Sequence, residues 1–291
     1  MKKICMSALI LTLAISLFSG CNANPKPVSQ PSNSPITVIT REEGSGTRDA
    51  FVELTGVLEK VDGKKTDRTT EEAVSIDGTQ AVMSNVTGNE SAIGYISLGS
   101  LNSSVKAISV DGIEPNAQTV KSGEYPIARP FNIATKGDLS ELATHFIAYL
   151  LSADGQAVIE KNGYVSAVEG KAAPLGSPAG KLVIAGSSSV SPVMEKLKEA
   201  YEAVNPNAKI EIQTSDSSAG MTAAMEGTCD IGMASRALKD QETTVLKSTT
   251  IAMDGIAVIV NTANPITGLA MDQVRDIFLG AITNWGQVSV K

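Results

Sequence analysis

A short loop near the start of the chain carries the residues best suited to chemistry. Its sequence is REEGSGT at 41–47, and it follows an apolar run, 36–40, that predicts a buried strand. The segment after the loop is typical of a helix start, so the first-turn N–H groups and the hydroxyls of Ser45 and Thr47 would point along the positive end of the helix dipole. Arg41 adds a planar fork of donors that suits an oxyanion. The loop therefore predicts a binding site for one small tetrahedral anion.

Two later loops offer the same kind of donors. They lie at Gly186–Ser189 and Ser215–Gly220, each between a predicted strand and a predicted helix. One serine-rich loop is usually only a helix cap, but three such junctions in one chain favour a shared site. A dehydrated oxyanion has to exchange its water for many fixed donors, and neutral dipoles can supply them without a large basic patch.

Other classes of chemistry find little support in the composition. The chain has 291 residues, a formal net charge of −7 and no basic stripe, so nucleic acid is not an expected partner. A serine hydrolase is the alternative from another class, but the single histidine, His145, is far in sequence from the serine loops, and no Gly-x-Ser-x-Gly elbow is evident. The sequence also lacks a nucleotide-binding phosphate loop and a Cys/His cluster, so we expect no catalytic residue, no metal and no cofactor.

The N-terminus has the pattern of an export signal. Two lysines precede an apolar segment, 4–18, which is followed by small residues and Cys21, and this pattern resembles a bacterial lipoprotein signal. We therefore predict a signal peptide at 1–20, a lipid anchor on Cys21 and a disordered Pro/Ser/Asn-rich tether at 21–35. The mature protein would then be anchored at the extracytoplasmic face of the cell membrane. The alternative is an ordinary secretory signal in which the cysteine is incidental.

Strands and helices alternate along the rest of the chain. Apolar runs such as 92–98 and 251–260 predict strands, and the apolar face of 192–204 predicts a helix. This alternation predicts an α/β fold with mostly parallel sheets flanked by helices, in which ligands bind at the carboxyl ends of the strands. A Gly/Ala/Pro-rich stretch, 169–180, interrupts the pattern and predicts a linker, after which the chain restarts like the beginning of a domain.

Seven segments together carry a resemblance to a known family. They are REEGSGTR at 41–48, AIGYIS at 92–97, YPIARPF at 125–131, GSSSVSPVME at 186–195, DIGMASR at 230–236, MDGIAVIVN at 253–261 and DIFLGAITNW at 276–285. These segments resemble the phosphate-binding proteins of bacterial phosphate ABC transporters, and the resemblance covers nearly all of 36–168 and 181–291. It implies a monomeric, two-lobed, periplasmic-binding-protein-like fold of type 2. Its lobes would close about a hinge on inorganic phosphate and deliver it to ABC permease subunits.

Two alternatives share this fold. The protein could bind another tetrahedral oxyanion, such as sulfate or molybdate. It could also be a phosphate sensor or an adhesin that takes no part in transport.

The order of these segments differs from the family order. In the family, the GSSSV strand comes first and the TNW segment leads into the REEGSGT strand, whereas here the REEGSGT strand precedes both. The resemblance therefore implies a circular permutant; a gene fragment that spans two tandem copies is the alternative. The implied division is lobe B at 36–99 and 262–291, lobe A at 100–168 and 181–261, a permutation linker at 169–180, and crossings near 98–101 and 260–261.

The resemblance also implies the anion ligands, position by position. They are Arg41, Ser45, Gly46, Thr47, Ser189, the backbone N–H of Val190, Ser217 and Ser235. In addition, Glu43 would pair with Arg41 and fix its orientation.

One position departs from the family pattern. Arg236 stands where some family members have an aspartate that accepts the phosphate proton and so rejects sulfate, which has no proton to give. Another acid would have to take this role, and we favour Asp254 over Asp216. Arg236 itself would be either a second anion ligand or the partner of an acid. We expect phosphate to bind and sulfate to be rejected.

Overall fold

The computed structural model describes residues 33–288. Its strands are Thr37–Arg41 (β1), Leu58–Val61 (β2), Lys64–Asp67 (β3), Val74–Ile76 (β4), Ala92–Ser97 (β5), Val105–Ala107 (β6), Ser109–Val110 (β7), Ala128–Thr135 (β8), Val165–Ser166 (β9), Gly180–Ser187 (β10), Ala208–Ser215 (β11), Ile231–Ala234 (β12), Lys247–Asn261 (β13) and Gly268–Leu269 (β14). Its α-helices are Gly46–Thr55 (α1), Thr79–Thr87 (α2), Ala117–Ser122 (α3), Glu141–Leu150 (α4), Ala153–Lys161 (α5), Ser191–Val204 (α6), Ser217–Glu226 (α7), Asp240–Thr243 (α8) and Met271–Phe278 (α9). Short 3-10 helices occur at Leu98–Ser100 and Trp285–Gln287.

The predicted membrane-targeting region falls mostly outside these residues. The signal peptide at 1–20, Cys21 and all but the end of the tether at 21–35 precede residue 33. Among the residues from 33 to 288, no helix has both the length and the apolar character needed to cross a membrane.

One large sheet runs through the described part of the chain. Its strand order is β11-β10-β12-β8-β13-β5-β1-β4, and β6 and β9 also pair with β13. Strands at both ends of the sheet pair in parallel, but β13 pairs antiparallel with β8 through Lys247–Gly255 and with β5 through Ile256–Val260. The expected α/β class is confirmed. The sheet is mixed rather than mostly parallel, because this long strand runs antiparallel through its middle.

The two largest hydrophobic cores mark two lobes, and each lobe has a second, smaller core. In one core Phe51, Tyr95 and Phe278 pack together, with the rings of Phe51 and Tyr95 stacked 3.9 Å apart. The other core is built around Phe146 and Tyr201, whose rings meet edge to face at 4.9 Å. The predicted two-lobed architecture is confirmed.

The cores divide the chain at a different place from the predicted crossings. Apolar side chains from Ile108 to Ile127 pack in the core that contains Phe51, because β6 pairs with the end of β13 and β7 pairs with β14. The cores therefore do not divide at the predicted boundary of 99–100. The chain passes between the lobes just before β8 and again within β13. From here on, lobe B denotes 33–127 and 256–288, and lobe A denotes 128–255.

The two ends of the described chain lie side by side in lobe B. Pro35 forms an antiparallel bridge with Asn284, the Ile36 N–H donates to the Thr283 carbonyl at 2.8 Å, and the Trp285 N–H donates to the Ser34 carbonyl at 3.0 Å. On lobe A, residues 167–179 cross the surface without a helix or strand apart from one isolated bridge. This surface segment contains nearly all of the linker predicted at 169–180.

Candidate anion-binding site

Four helices begin at the cleft between the lobes. Helices α1 and α2 belong to lobe B, and helices α6 and α7 belong to lobe A. Across the cleft, Thr47 and Thr79 at the starts of α1 and α2 contact Ser189, just before α6. The Ser218 N–H, in the first turn of α7, donates to the Gly44 carbonyl of lobe B. Because the N-terminus of a helix carries free N–H groups and a partial positive charge, four of them together favour a bound anion.

Hydroxyl groups from both lobes form a buried cluster at this point. We define the hydroxyl cluster as Thr47, Ser189, Ser217 and Ser235, each at most 1% exposed. Thr47 Oγ1 of lobe B lies 2.8 Å from Ser189 Oγ and 3.5 Å from Ser235 Oγ of lobe A. Ser217 Oγ accepts the Ser235 N–H at 3.0 Å. The structure thus brings together four of the predicted ligands from four separate segments of the chain.

Ser45 and Gly46 position the start of α1 in the cleft. Ser45 is buried and caps the helix, with its Oγ accepting the Arg48 N–H at 3.4 Å. A Cβ atom on Gly46 would lie 2.9 Å from Ser235 Oγ and would clash with Ser217. Glycine at this position therefore allows the helix start of lobe B to approach lobe A closely.

The backbone N–H of Val190 was expected to bind the anion, but in the structure this N–H has another acceptor. The side chain of Val190 is fully buried in the core of lobe A, and its N–H donates to the carbonyl of Ser187 at 3.0 Å. This amide therefore has a partner within its own loop.

Arg41 reaches the site from the end of β1 and is 1% exposed. Its Nη2 donates to Ser188 Oγ of lobe A at 3.0 Å, and its Nη1 donates to Thr79 Oγ1 at 3.4 Å. Its Nε and Nη2 also donate to the two carboxylate oxygens of Glu42, at 2.6 and 2.5 Å. The guanidinium is thereby fixed in orientation from two sides.

The partner of Arg41 is Glu42, so the prediction of Glu43 is wrong. Glu42 is half-buried and also accepts the Gly78 N–H at 3.2 Å, whereas Glu43 lies exposed at the turn of the loop. Burial by itself would raise the pKa of Glu42, but the hydrogen bonds and charge of Arg41 and the backbone N–H groups bring that pKa below its ordinary value. Glu42 is therefore ionised at neutral pH.

Two residues of the site were missed in the sequence, Ser188 and Thr79. Thr79 Oγ1 lies 3.2 Å from Ser189 Oγ and 3.3 Å from Ser188 Oγ, so it extends the hydroxyl cluster toward Arg41. Thr79 is the first residue of α2 and follows its N-cap, Gly78, which has no side-chain cap, so no capping pattern marked this helix start in the sequence.

Arg236 has acids as partners, one of the two roles considered for it. Its Nη1 and Nη2 donate to the two carboxylate oxygens of Glu242, each at 2.8 Å, and its Nε lies 3.0 Å from Asp49 Oδ2 of lobe B. Its Nη2 also donates to Ser218 Oγ at 3.3 Å.

Asp254 lies where the strands cross between the lobes, paired with Arg129. Its Oδ2 accepts Arg129 Nη2 at 3.2 Å, as the register of β8 and β13 requires, and its Oδ1 accepts the Gly99 N–H at 3.3 Å. Burial raises the pKa of Asp254, and the positive charge of Arg129 opposes that rise. Both carboxylate oxygens therefore have partners outside the hydroxyl cluster, so the structure does not support the predicted ligand role.

Asp216, the other candidate acceptor, caps α7. Its Oδ1 accepts the Ala219 N–H at 2.8 Å and lies beside Gly44 of lobe B. The residues from 33 to 288 contain no group of three or more His, Cys, Asp or Glu side chains that could hold a metal ion.

A two-lobed sheet protein with an anion-binding cleft between its lobes belongs to the class of periplasmic-type binding proteins, and comparison with known sequences agrees. The family model of the PBP superfamily domain matches residues 18–154 and 171–290. The phosphate-binding protein PstS 2 of Streptococcus agalactiae serotype V is 48% identical over 295 residues, which cover 99% of this chain and 100% of that protein. The chain therefore belongs to the family of phosphate-binding proteins within this superfamily, as the sequence motifs indicated.

A solved structure and a more distant relative complete the comparison. A crystal structure of the phosphate-binding protein of a phosphate ABC transporter from Streptococcus pneumoniae is 47% identical, covers 88% of this chain and 100% of its own, and superposes with a TM-score of 0.70. The phosphate-binding protein PstS of Bacillus subtilis is 33% identical over 138 residues, which cover only 47% of this chain and 43% of that protein.

Proposed function

We propose that the protein is an extracytoplasmic receptor that captures inorganic phosphate between its lobes and delivers it to the permease of an ABC transporter. The observation that carries this proposal is the hydroxyl cluster, which joins donors of both lobes beside a fixed arginine. A receptor whose ligand contacts both lobes is stabilised in its closed form only while the ligand is present. The names of the full-length relatives support phosphate as the ligand. Nothing in the site calls for catalysis, and we propose no enzymatic role.

Phosphate would be held mainly by neutral donors. The positive charge of Arg41 is balanced by Glu42, so the hydroxyls of the cluster, Ser45, Ser188 and Thr79 and the amides of the helix starts would have to replace the water of the anion. In the bound state we expect each cluster hydroxyl to turn from its neighbour toward a phosphate oxygen. This arrangement gives strong binding only to an anion of the right size and shape.

Discrimination against sulfate would depend on an acceptor for the phosphate proton. Since Asp254 is held by Arg129, we propose that a hydroxyl oxygen of the cluster accepts a hydrogen bond from the phosphate O–H while its own O–H donates to a neighbouring oxygen, so that no proton is transferred. A hydroxyl can equally donate to sulfate, so the preference should be weaker than a fixed carboxylate would give. We expect phosphate to be preferred by about ten- to a hundred-fold, the value of one buried hydrogen bond.

Equilibrium dialysis with radiolabelled phosphate tests the function. Unlabelled phosphate should displace the label stoichiometrically, while sulfate and molybdate should require at least about ten-fold higher concentrations. If sulfate or molybdate displaced the label as well as phosphate does, the protein would be a general oxyanion receptor. If the folded protein retained no label, the proposed function would be wrong.

We also propose that the chain is a circular permutant of the common family order. Two observations support this: the two ends of the described chain pair in lobe B, and the alignment to the Bacillus subtilis relative covers less than half of either protein. The alignment to the Streptococcus agalactiae relative runs from end to end, so that relative has the same segment order and the tandem-fragment alternative loses support.

Restoring the common order tests the permutation. The variant would start at residue 181, continue from Lys291 into Asn33 and end at residue 168. Because it joins ends that already meet and opens a surface segment, it should fold and bind phosphate within about three-fold of the original affinity. A re-ordered chain that stays unfolded while the original folds would contradict the proposal.

For attachment we propose a lipid on Cys21 after removal of 1–20. Cys21→Ser should abolish labelling with radioactive palmitate and release the protein from the membrane fraction. Unchanged retention in that fraction would favour another mode of attachment.

A further inference from the structure

A group of charged side chains joins the lobes beside the hydroxyl cluster. We define the interlobe ion cluster as Asp49 of lobe B and Arg236, Lys239 and Glu242 of lobe A. Asp49 Oδ2 lies 3.0 Å from Arg236 Nε and 3.2 Å from Lys239 Nζ. Two cations and two carboxylates thus balance each other only when the lobes are together.

The lobe A side of this cluster is buried and held by several hydrogen bonds. Arg236 and Glu242 have side chains that are 5% and 4% exposed and are joined by two hydrogen bonds of 2.8 Å. The Lys239 N–H donates to the same carboxylate at 2.7 Å. Since Glu242 already neutralises Arg236 within lobe A, separating the lobes would leave Asp49 and Lys239 as the charges without partners.

The cluster acts on the two segments that carry the anion donors. Asp49 lies in the first turn of α1, two residues after Thr47, and Arg236 directly follows Ser235. Attraction between Asp49 and Arg236 therefore brings Thr47 and Ser235 toward each other. A backbone hydrogen bond from the Ser218 N–H to the Gly44 carbonyl, 3.2 Å long, crosses the cleft beside it.

We propose that the interlobe ion cluster is a latch that favours the closed form and thereby sets how tightly phosphate is held and how fast it leaves. Asp49, Arg236 and Lys239 are positioning residues in this account, because they act on the donors and not on the anion. The effect on phosphate rests on the proposed function, but the effect on lobe closure does not.

The expected size of the effect follows from exposure. The Asp49 side chain is 36% exposed and that of Lys239 is 46% exposed, so solvent and salt weaken their attraction. A binding protein that must close to bind loses affinity in proportion to its loss of closed population. We therefore expect removal of the Asp49 charge to weaken phosphate binding by about three- to ten-fold.

The test compares Asp49→Asn with Glu53→Gln, a control one turn later on the same helix. Glu53 is exposed and pairs with Lys60 at 2.8 Å within lobe B, so its loss removes an ion pair without touching the cleft. In stopped-flow experiments, Asp49→Asn should raise the phosphate dissociation rate about three- to ten-fold and leave the association rate nearly unchanged. Lys239→Met should act in the same direction, and Glu53→Gln should behave like the original protein.

Hydrogen exchange without phosphate separates the latch from the proposed function. The amides of 44–50 and 235–242 should exchange faster in Asp49→Asn than in Glu53→Gln, whether or not the protein binds phosphate. Faster exchange in a protein that binds no phosphate would support the latch and refute only the proposed function. If Asp49→Asn and Lys239→Met both matched Glu53→Gln in exchange and in dissociation rate, the latch would be refuted.

Discussion

At the scale of single residues, Arg41 and Glu42 form a fixed pair that shapes the site. The pair leaves the cleft nearly neutral, and the guanidinium presents its remaining N–H groups toward Ser188 and Thr79. A neutral site suits a receptor that must also release its ligand, because the anion is held by many modest hydrogen bonds and not by one strong charge.

The neighbouring acids Glu42 and Glu43 provide a matched test of the Arg41–Glu42 pair, because only Glu42 contacts Arg41. Glu42→Gln should weaken phosphate binding by about ten-fold or more, because the guanidinium loses the two charged acceptors that fix its orientation toward Ser188 and Thr79. Glu43→Gln should change the affinity by less than about two-fold, since Glu43 is exposed. Calorimetric titration of both variants measures this difference, and equal effects would contradict the assignment of Glu42.

The contribution of Glu242 to the free energy of unfolding should depend on pH. Burial would raise its pKa, but the hydrogen bonds from Arg236 and the Lys239 N–H bring the pKa below the ordinary value. The unfolded chain therefore takes up this proton at a higher pH than the folded protein. The stabilisation from Glu242 is fully present above the ordinary pKa, near pH 4.3, and is lost as the pH falls through the lower folded value.

Urea unfolding of Glu242→Gln checks this sign. At pH 7 the variant should lose about 2–4 kcal/mol in its free energy of unfolding, because Arg236 is left with only Asp49 as an acid partner. The difference from the original protein should shrink as the pH falls below about 4. The exposed Glu199→Gln is the control and should cost less than about 0.5 kcal/mol. A deficit that is the same at every pH would contradict the assigned cause.

At the scale of secondary structure, the start of α1 must approach lobe A without a side chain at its first position. Gly46→Ala should weaken phosphate binding by about ten- to a hundred-fold, because the added methyl group would push Ser217 and Ser235 out of the cluster. Gly88→Ala, where a Cβ would meet only ordinary contacts of 3.5 Å or more, should leave binding unchanged. If Gly46→Ala bound phosphate normally, close approach at this point would not be required.

Element types were largely predictable because apolar periodicity and helix caps are local signals. The β2–β3 hairpin is the main element that was not predicted from the sequence. Its tight turn is formed by Asp62 and Gly63, which have positive φ angles. The choice between Glu42 and Glu43 could not be made from sequence. It depends on which side chain faces the start of α2 where β1 ends, and that is a tertiary contact.

At the scale of the whole molecule, the motif order was visible in the sequence but the lobe boundary was not. The chain passes between the lobes in the middle of β13 and at the start of β8, where the strands continue without a break. A hinge inside a continuous strand leaves no glycine-rich or polar signal, so the prediction placed the crossings in nearby loops. Similarly, the role of Asp254 depended on its cross-strand partner, Arg129, which sequence separation does not reveal.

The central claim is that Arg41 and the hydroxyl cluster close on one phosphate, and calorimetric titration tests it most directly. The original protein should bind one phosphate per chain, and Arg41→Ala should lose at least about a hundred-fold in affinity while its thermal unfolding stays cooperative. The exposed Arg68→Ala serves as the control and should bind normally. Absence of saturable phosphate heat in the folded original protein, or unchanged affinity in Arg41→Ala, would contradict the account.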